Sequence, residues 1–189
     1  RRQRQMCKET ACTDPLVISS TLNALGGNDT INYVSGSSRF ILAGEGNDTI
    51  NISGGTISGE YGGLGTLNVA VDGGDGNDTI NITGGTVTFD VSLLPPEEQG
   101  FARASVSGGL GSDTIILDGA TARVNAIRGG SDPVGSPDVN TIQVRNGTVD
   151  TIIGGFARDV ITVTGGTVAI QIFGEDGNDE INLLGGFVD

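Results

Sequence analysis

"GGDGNDTINI", residues 73–82, runs through glycines, acids and an amide before ending in two isoleucines separated by an asparagine. The pattern returns as "GEGNDTINI" (44–52), "GGLGSDTIIL" (108–117) and "GEDGNDEINL" (174–183). Aligning the acidic position gives seven repeats, anchored at Asp29, Asp48, Asp78, Asp113, Asn140, Asp159 and Asp179. Two residues on, every repeat has isoleucine: Ile31, Ile50, Ile80, Ile115, Ile142, Ile161 and Ile181. Two further on, all are apolar: Tyr33, Ile52, Ile82, Leu117, Val144, Val163 and Leu183. The residues between these columns are mostly polar, so each repeat opens with a strand that has one inward face.

A glycine turn follows, as "SGGT" (53–56), "TGGT" (83–86), "DGAT" (118–121), "NGT" (146–148) and "TGGT" (164–167). A second alternating run comes next: Val87, Phe89 and Val91 face one way, and Val168, Ile170 and Ile172 do the same. Two short strands in a unit of about 20 residues bury little apolar surface alone, so the units must stack. The predicted fold is all-β, a parallel β-solenoid of about seven rungs with two short strands each. It spans residues 16–189, after a leader or tail at 1–15. Insertions near 59–73, 92–108 and 128–140 lengthen three rungs and project from one edge. Thr56, Thr86, Thr121, Thr148 and Thr167 form a predicted hydroxyl column on the opposite turn.

Composition limits the chemistry. The net charge is −13, and four of the ten basic residues lie in "RRQRQMCK" at the start. Such a body repels nucleic acid and anionic membranes and attracts cations. No apolar run is long enough for a membrane span. Histidine and tryptophan are absent, and the only cysteines are Cys7 and Cys12, which removes zinc fingers and any His-dependent triad. The two cysteines form either a small disulfide loop or two free thiols. With Arg at its first position, the chain reads as a segment of a longer protein.

In a G-G-x-G-x-D turn, glycines permit positive φ and close backbone approach, their carbonyls point into the turn, and the aspartate closes it. Two such turns, one above the other, offer enough oxygens for calcium, which takes six to eight at about 2.3–2.6 Å. Without an ion, aspartates there would serve only as turn caps.

Here the chain resembles the repeats-in-toxin (RTX) calcium-binding β-roll family, whose nonapeptide is G-G-x-G-x-D-x-U-x with U large and apolar. "GGDGNDTIN" (73–81) and "GGLGSDTII" (108–116) match every fixed position, while "AGEGNDTIN" (43–51) and "GEDGNDEIN" (174–182) each lack one glycine. The resemblance implies calcium as the bound ion. It places the ligands at Asp48, Asp78, Asp113 and Asp179, with Asp29, and at Gly44, Gly46, Gly73, Gly74, Gly76, Gly108, Gly109, Gly111, Gly174 and Gly177. The opposite "(S/T)-G-G-T" turn lacks the aspartate and is read as a dry edge. Three repeats depart from the pattern. "ALGGND" (24–29) lacks the first glycine pair, Asn140 replaces the aspartate, and "GGFARD" (154–159) puts Arg158 beside Asp159. That arginine argues against an ion at its repeat.

With no catalytic constellation in view, the expected function is a calcium-stabilised structural or adhesive segment of a large secreted or cell-surface protein. Neighbouring solenoid segments, in filaments, or surface glycans would be its partners. The alternative is a calcium-binding accessory module of a secreted protease, lipase or polysaccharide-modifying enzyme. A third reading, direct binding or processing of polysaccharide, would place the site at Asp90, Glu97, Glu98 and the insertions.

Overall fold

The computed structural model describes residues 21–60, 69–90 and 104–189. Cys7, Cys12, Glu97, Glu98 and parts of the first two insertions lie outside the described residues. Among those described there are fourteen strands and no helix. In order they are β1 (Thr21–Asn23), β2 (Thr30–Tyr33), β3 (Ser37–Ser38), β4 (Phe40–Glu45), β5 (Thr49–Glu60), β6 (Val71–Asp75) and β7 (Thr79–Asp90). They continue with β8 (Val106–Leu110), β9 (Thr114–Arg128), β10 (Val139–Ile153), β11 (Arg158–Val163), β12 (Thr167–Phe173), β13 (Glu180–Leu183) and β14 (Phe187–Val188). The strands join in one unclosed sheet network whose named pairings are all parallel, each linking a strand to its counterpart one repeat away.

The first ladder runs β2–β5–β7–β9–β10–β11–β13 and keeps the isoleucine column in register from Ile31 to Ile181. The column from Tyr33 to Leu183 pairs in the same ladder. Ile50, Ile80, Ile115, Ile142 and Ile161 are fully buried, whereas Ile181 in the last repeat is 45% exposed. Each buried side chain of this size contributes about 1.5–3 kcal/mol through removal from water. A repeat therefore depends on its neighbours for most of its stabilisation.

The second half of each repeat divides into two further ladders rather than a single alternating strand. The second ladder links Ser37, Thr56, Thr86, Arg123, Thr148, Thr167 and Phe187. The third links Leu22, Ile41, Val71, Val106, Ile127, Ile152 and Ile172. Two sequence expectations change as a result. Thr121 is not part of the threonine column. Arg123 holds that position because β9 spends two more residues than β7 between the paired positions Ile82–Leu117 and Thr86–Arg123. Ile170 does not face inward and is 59% exposed. Its strand carries an extra residue between the pairs Val149–Val168 and Thr151–Gln171, and this bulge turns the side chain outward.

Candidate cation-binding column

Each glycine–aspartate turn lies between the third ladder and the next first-ladder strand. Gly74 has φ +106° and Gly76 φ +133°, a region open mainly to glycine. The turn keeps this geometry where glycine is missing: Leu25 and Glu175, at the position of Gly74, have φ +81° and +67°. Packing between repeats adds a second requirement. A Cβ on Gly74 would lie 2.0 Å from the Gly44 carbonyl oxygen, and one on Gly109 1.9 Å from that of Gly74. Gly46, Gly76 and Gly111 follow the same rule, each set against the carbonyl of the glycine one repeat before, at Gly27, Gly46 and Gly76. "ALGGND" thus joins the column in register despite its altered first residues.

The first glycine of the turn makes room for the aspartate. A Cβ on Gly73 would meet Asp78 Oδ2 at 2.5 Å and the Gly108 carbonyl at 2.2 Å. At Gly108 the same point lies 2.3 Å from Asp113 Oδ2 and 2.2 Å from the Gly129 carbonyl, and at Gly174 it lies 2.3 Å from Asp179 Oδ2. A carboxylate oxygen and a carbonyl oxygen of the following repeat thus face one point in the turns of Asp78 and Asp113. Asp29, Asp48, Asp78 and Asp113 are buried, with Asp179 half-buried in the last repeat.

One oxygen of Asp48, Asp78, Asp113 and Asp179 has a clear role. Asp48 Oδ1 accepts from the Asp29 N–H (2.6 Å), Asp78 Oδ1 from Asp48 (2.7 Å) and Asp113 Oδ1 from Asp78 (2.8 Å). Asn140 Oδ1 accepts from the Asp113 N–H (3.1 Å), and Asp179 Oδ1 from Asp159 (3.0 Å). The other oxygen, Oδ2 of Asp29, Asp48, Asp78 and Asp113, is buried without a hydrogen-bond partner, and Asp159 leaves both oxygens unpartnered. An ionised carboxylate in this condition is strongly penalised. Burial, above all, pushes Asp78 up to about 6, with the Asp48, Asp72 and Asp75 charges adding. Asp113 rises to about 8 through burial and then the charges of Asp78, Asp132 and Asp72. Burial also raises Asp48 and lifts Asp72, beside Asp75, to about 6.

Several participants went unnoticed in the sequence. Beside the aspartates runs an amide ladder in which Asn28, Asn47 and Asn77 Oδ1 accept the N–H of Asn47, Asn77 and Ser112, each at 2.8 Å. On the outer strand face, Asn51 Nδ2 donates to Asn32 Oδ1 and Asn81 Nδ2 to Asn51 Oδ1, both at 2.9 Å. The alternating N-D-T-I-N spelling contained both ladders. Asp72 and Asp132 lie outside the aligned acidic column and carried no repeat signal.

Among the described residues no three acidic side chains converge on one point as a finished metal cage. The donors are nevertheless all oxygen, the set preferred by hard divalent cations rather than by zinc or copper. Their unpartnered Oδ2 atoms recur at successive repeats. In donor type the residues fit calcium. The ion pairs Arg128–Glu175 (3.6 Å), Arg145–Asp118 (3.6 Å) and Arg158–Glu180 (3.4 Å) engage acids other than these column aspartates. No known family, curated protein or solved structure matches the chain.

Proposed function

We propose that the chain is a calcium-stabilised parallel β-solenoid of the repeats-in-toxin type, serving as a structural or adhesive element of a larger extracellular or cell-surface protein. The observation that carries this reading is the run of buried aspartates at consecutive repeats, each with an unpartnered oxygen. A solenoid is supported by three parallel ladders that link equivalent residues of successive repeats. Calcium would supply the positive charge that the column lacks. The protein's own part is to hold one carboxylate oxygen on the neighbouring amide and leave the other available toward the turn.

A structural role also fits the way these groups are used. The column aspartates are tied to backbone amides of adjacent repeats, and the chain has no histidine to act as a general base. The test is thermal unfolding in calcium, in magnesium and in chelator. A ligand bound only by the folded state adds about 2.7 kcal/mol at a hundredfold excess over its dissociation constant. For a chain of this size that is a rise of about 5–10 °C. Identical melts in calcium and chelator would remove the reading.

A further inference from the structure

The repeat pattern argues against an ion at the Asn140 and Asp159 level, yet this level holds the least satisfied carboxylate among the described residues. Asp159 is fully buried; neither of its oxygens meets a donor in ordinary hydrogen-bond geometry, and only the nearby Asn140 side chain favours its charged form. The adjacent arginine does not neutralise it. Consecutive strand residues point to opposite faces, and the exposed Arg158 guanidinium turns to Glu180 at 3.4 Å.

The insertion before Asn140 brings a second acid to the same place. Asp132 is 2% exposed, and its Oδ1 accepts from the Gly111 N–H at 2.8 Å. In earlier repeats the equivalent glycine amides, Gly46 and Gly76, donate to the backbone carbonyls of Asp75 and Leu110. The insertion thus replaces a neutral carbonyl with a carboxylate. Asp132 Oδ2 takes only a long bond, 3.4 Å, from Asn140 Nδ2.

The small faces of Gly129, Gly130 and Gly154 show how these groups are arranged. A Cβ on Gly129 would lie 3.0 Å from Asp159 Oδ1, 2.7 Å from the Gly154 carbonyl oxygen and 2.9 Å from Asn140 Cβ. One on Gly130 would lie 2.5 Å from both Asp132 Oδ2 and Asn140 Nδ2. On the far side, the Gly154 position meets Asp159 Oδ2 at 2.4 Å and the Gly174 carbonyl at 2.6 Å. Asn140 is therefore flanked by two buried carboxylates, with two glycine carbonyls beside the unpartnered one.

We propose that the 129–140 insertion builds a separate site for one hard divalent cation, in which Asp132 and Asp159 flank Asn140 and the Gly154 and Gly174 carbonyls add neutral oxygens. The site rests on the reading that unpartnered carboxylates in this chain take calcium, and it extends that reading to a level the consensus excludes. Asn140 limits the charge to two acids and holds the Asp113 amide in place of a third carboxylate. The competing arrangement is an Asp159 carboxyl that keeps its proton and donates it to a glycine carbonyl, with no ion.

The experiment is calcium binding by the full chain, counted by equilibrium dialysis and followed by titration calorimetry, with magnesium as control and circular dichroism to verify folding. Asp159→Asn is expected to lose one calcium equivalent. Asp132→Asn keeps an oxygen for the Gly111 amide and is expected to weaken that same equivalent at least tenfold. Asp78→Asn should leave it unchanged while affecting the others. If the wild-type chain binds calcium but Asp132→Asn retains every equivalent at full affinity, the separate site is overturned and the general reading survives. That variant decides the matter even where Asp159→Asn does not fold. If the wild-type chain binds no calcium, both readings fall.

Discussion

Replacing Asp113 by asparagine should stabilise the chain in chelator and destabilise it in calcium. The isosteric change keeps the bond from the Asp78 amide, because Asn140 already performs that role for Asp113 itself. What it removes is the charge on a buried group whose pKa is raised from 3.8 to about 8. A carboxyl with a raised folded-state pKa holds its proton more tightly when folded. Its contribution is therefore greatest below its ordinary pKa and is lost as pH climbs through about 8. At about 1.4 kcal/mol per pKa unit, the full shift corresponds to about 6 kcal/mol. Asp78, Asp72 and Asp132 share the repulsion and relax with it, so about half, ~3 kcal/mol, is the expected gain for the variant. In chelator, one unit above that pKa, its melting temperature should exceed the wild type's by about 6–12 °C. In saturating calcium the order should reverse by a similar amount, since the variant loses a ligand. Differential scanning calorimetry in the two buffers measures both signs. A variant less stable than wild type in chelator would refute the charge penalty, and one more stable in both buffers would refute a role for Asp113 in holding calcium.

Three further outcomes test how the repeats are held. Gly27 and Gly74 have similar φ, +116° and +106°, but a Cβ meets nothing within 4 Å at Gly27 and a carbonyl at 2.0 Å at Gly74. Gly27→Ala should cost about 1–2 kcal/mol in urea unfolding and Gly74→Ala more than about 4, and equal costs would disprove close contact between the turns. Ile115→Ala, at a fully buried position, should cost about 3–5 kcal/mol, against less than about 1.5 for Ile181→Ala at a half-exposed one. Asn51→Ala breaks one bond to each neighbouring repeat and should lower stability by about 1–2 kcal/mol, with faster amide exchange in β2 and β7 as the local sign.

The first ladder was legible because its two apolar columns and its acidic anchor recur at fixed offsets, and the pairing keeps that register from Ile31 to Ile181. Reading failed where spacing drifts. Two extra residues in β9 put Arg123 where counting from the glycine turn gave Thr121, and a bulge in β12 pushed Ile170 outward. The third ladder was hidden because insertions divide Val71 and Val106 from the strands that precede them in sequence. At the site, the glycines and anchors could be found by spelling alone. Asp132 could not, since an acid within an insertion has no register until the chain is folded. Arg158 misled for a different reason: adjacency in a strand places a side chain on the opposite face, so the neighbour in sequence is not the neighbour in charge.

Asn140 supplies the strongest argument about why the column is acidic. It accepts the amide of the preceding repeat as the aspartates do, at 3.1 Å against 2.6–3.0 Å, and it does so without a charge. Turn closure and the inter-repeat hydrogen bond therefore require only an amide. Six of the seven anchors are nevertheless aspartate, and five of them bury at least one oxygen without a hydrogen-bond partner. Were capping the whole purpose, each would carry a burial penalty and a repulsion that asparagine avoids. The excess cost falls on the Oδ2 atoms of Asp29, Asp48, Asp78 and Asp113 and on both oxygens of Asp159. A counter-charge delivered there would turn the same atoms from a liability into the bond between successive repeats. The chain's stability would then be set by the concentration of cation around it, with the greatest effect where burial raises the carboxylate pKa furthest, to about 8 at Asp113 and about 7 at Asp159.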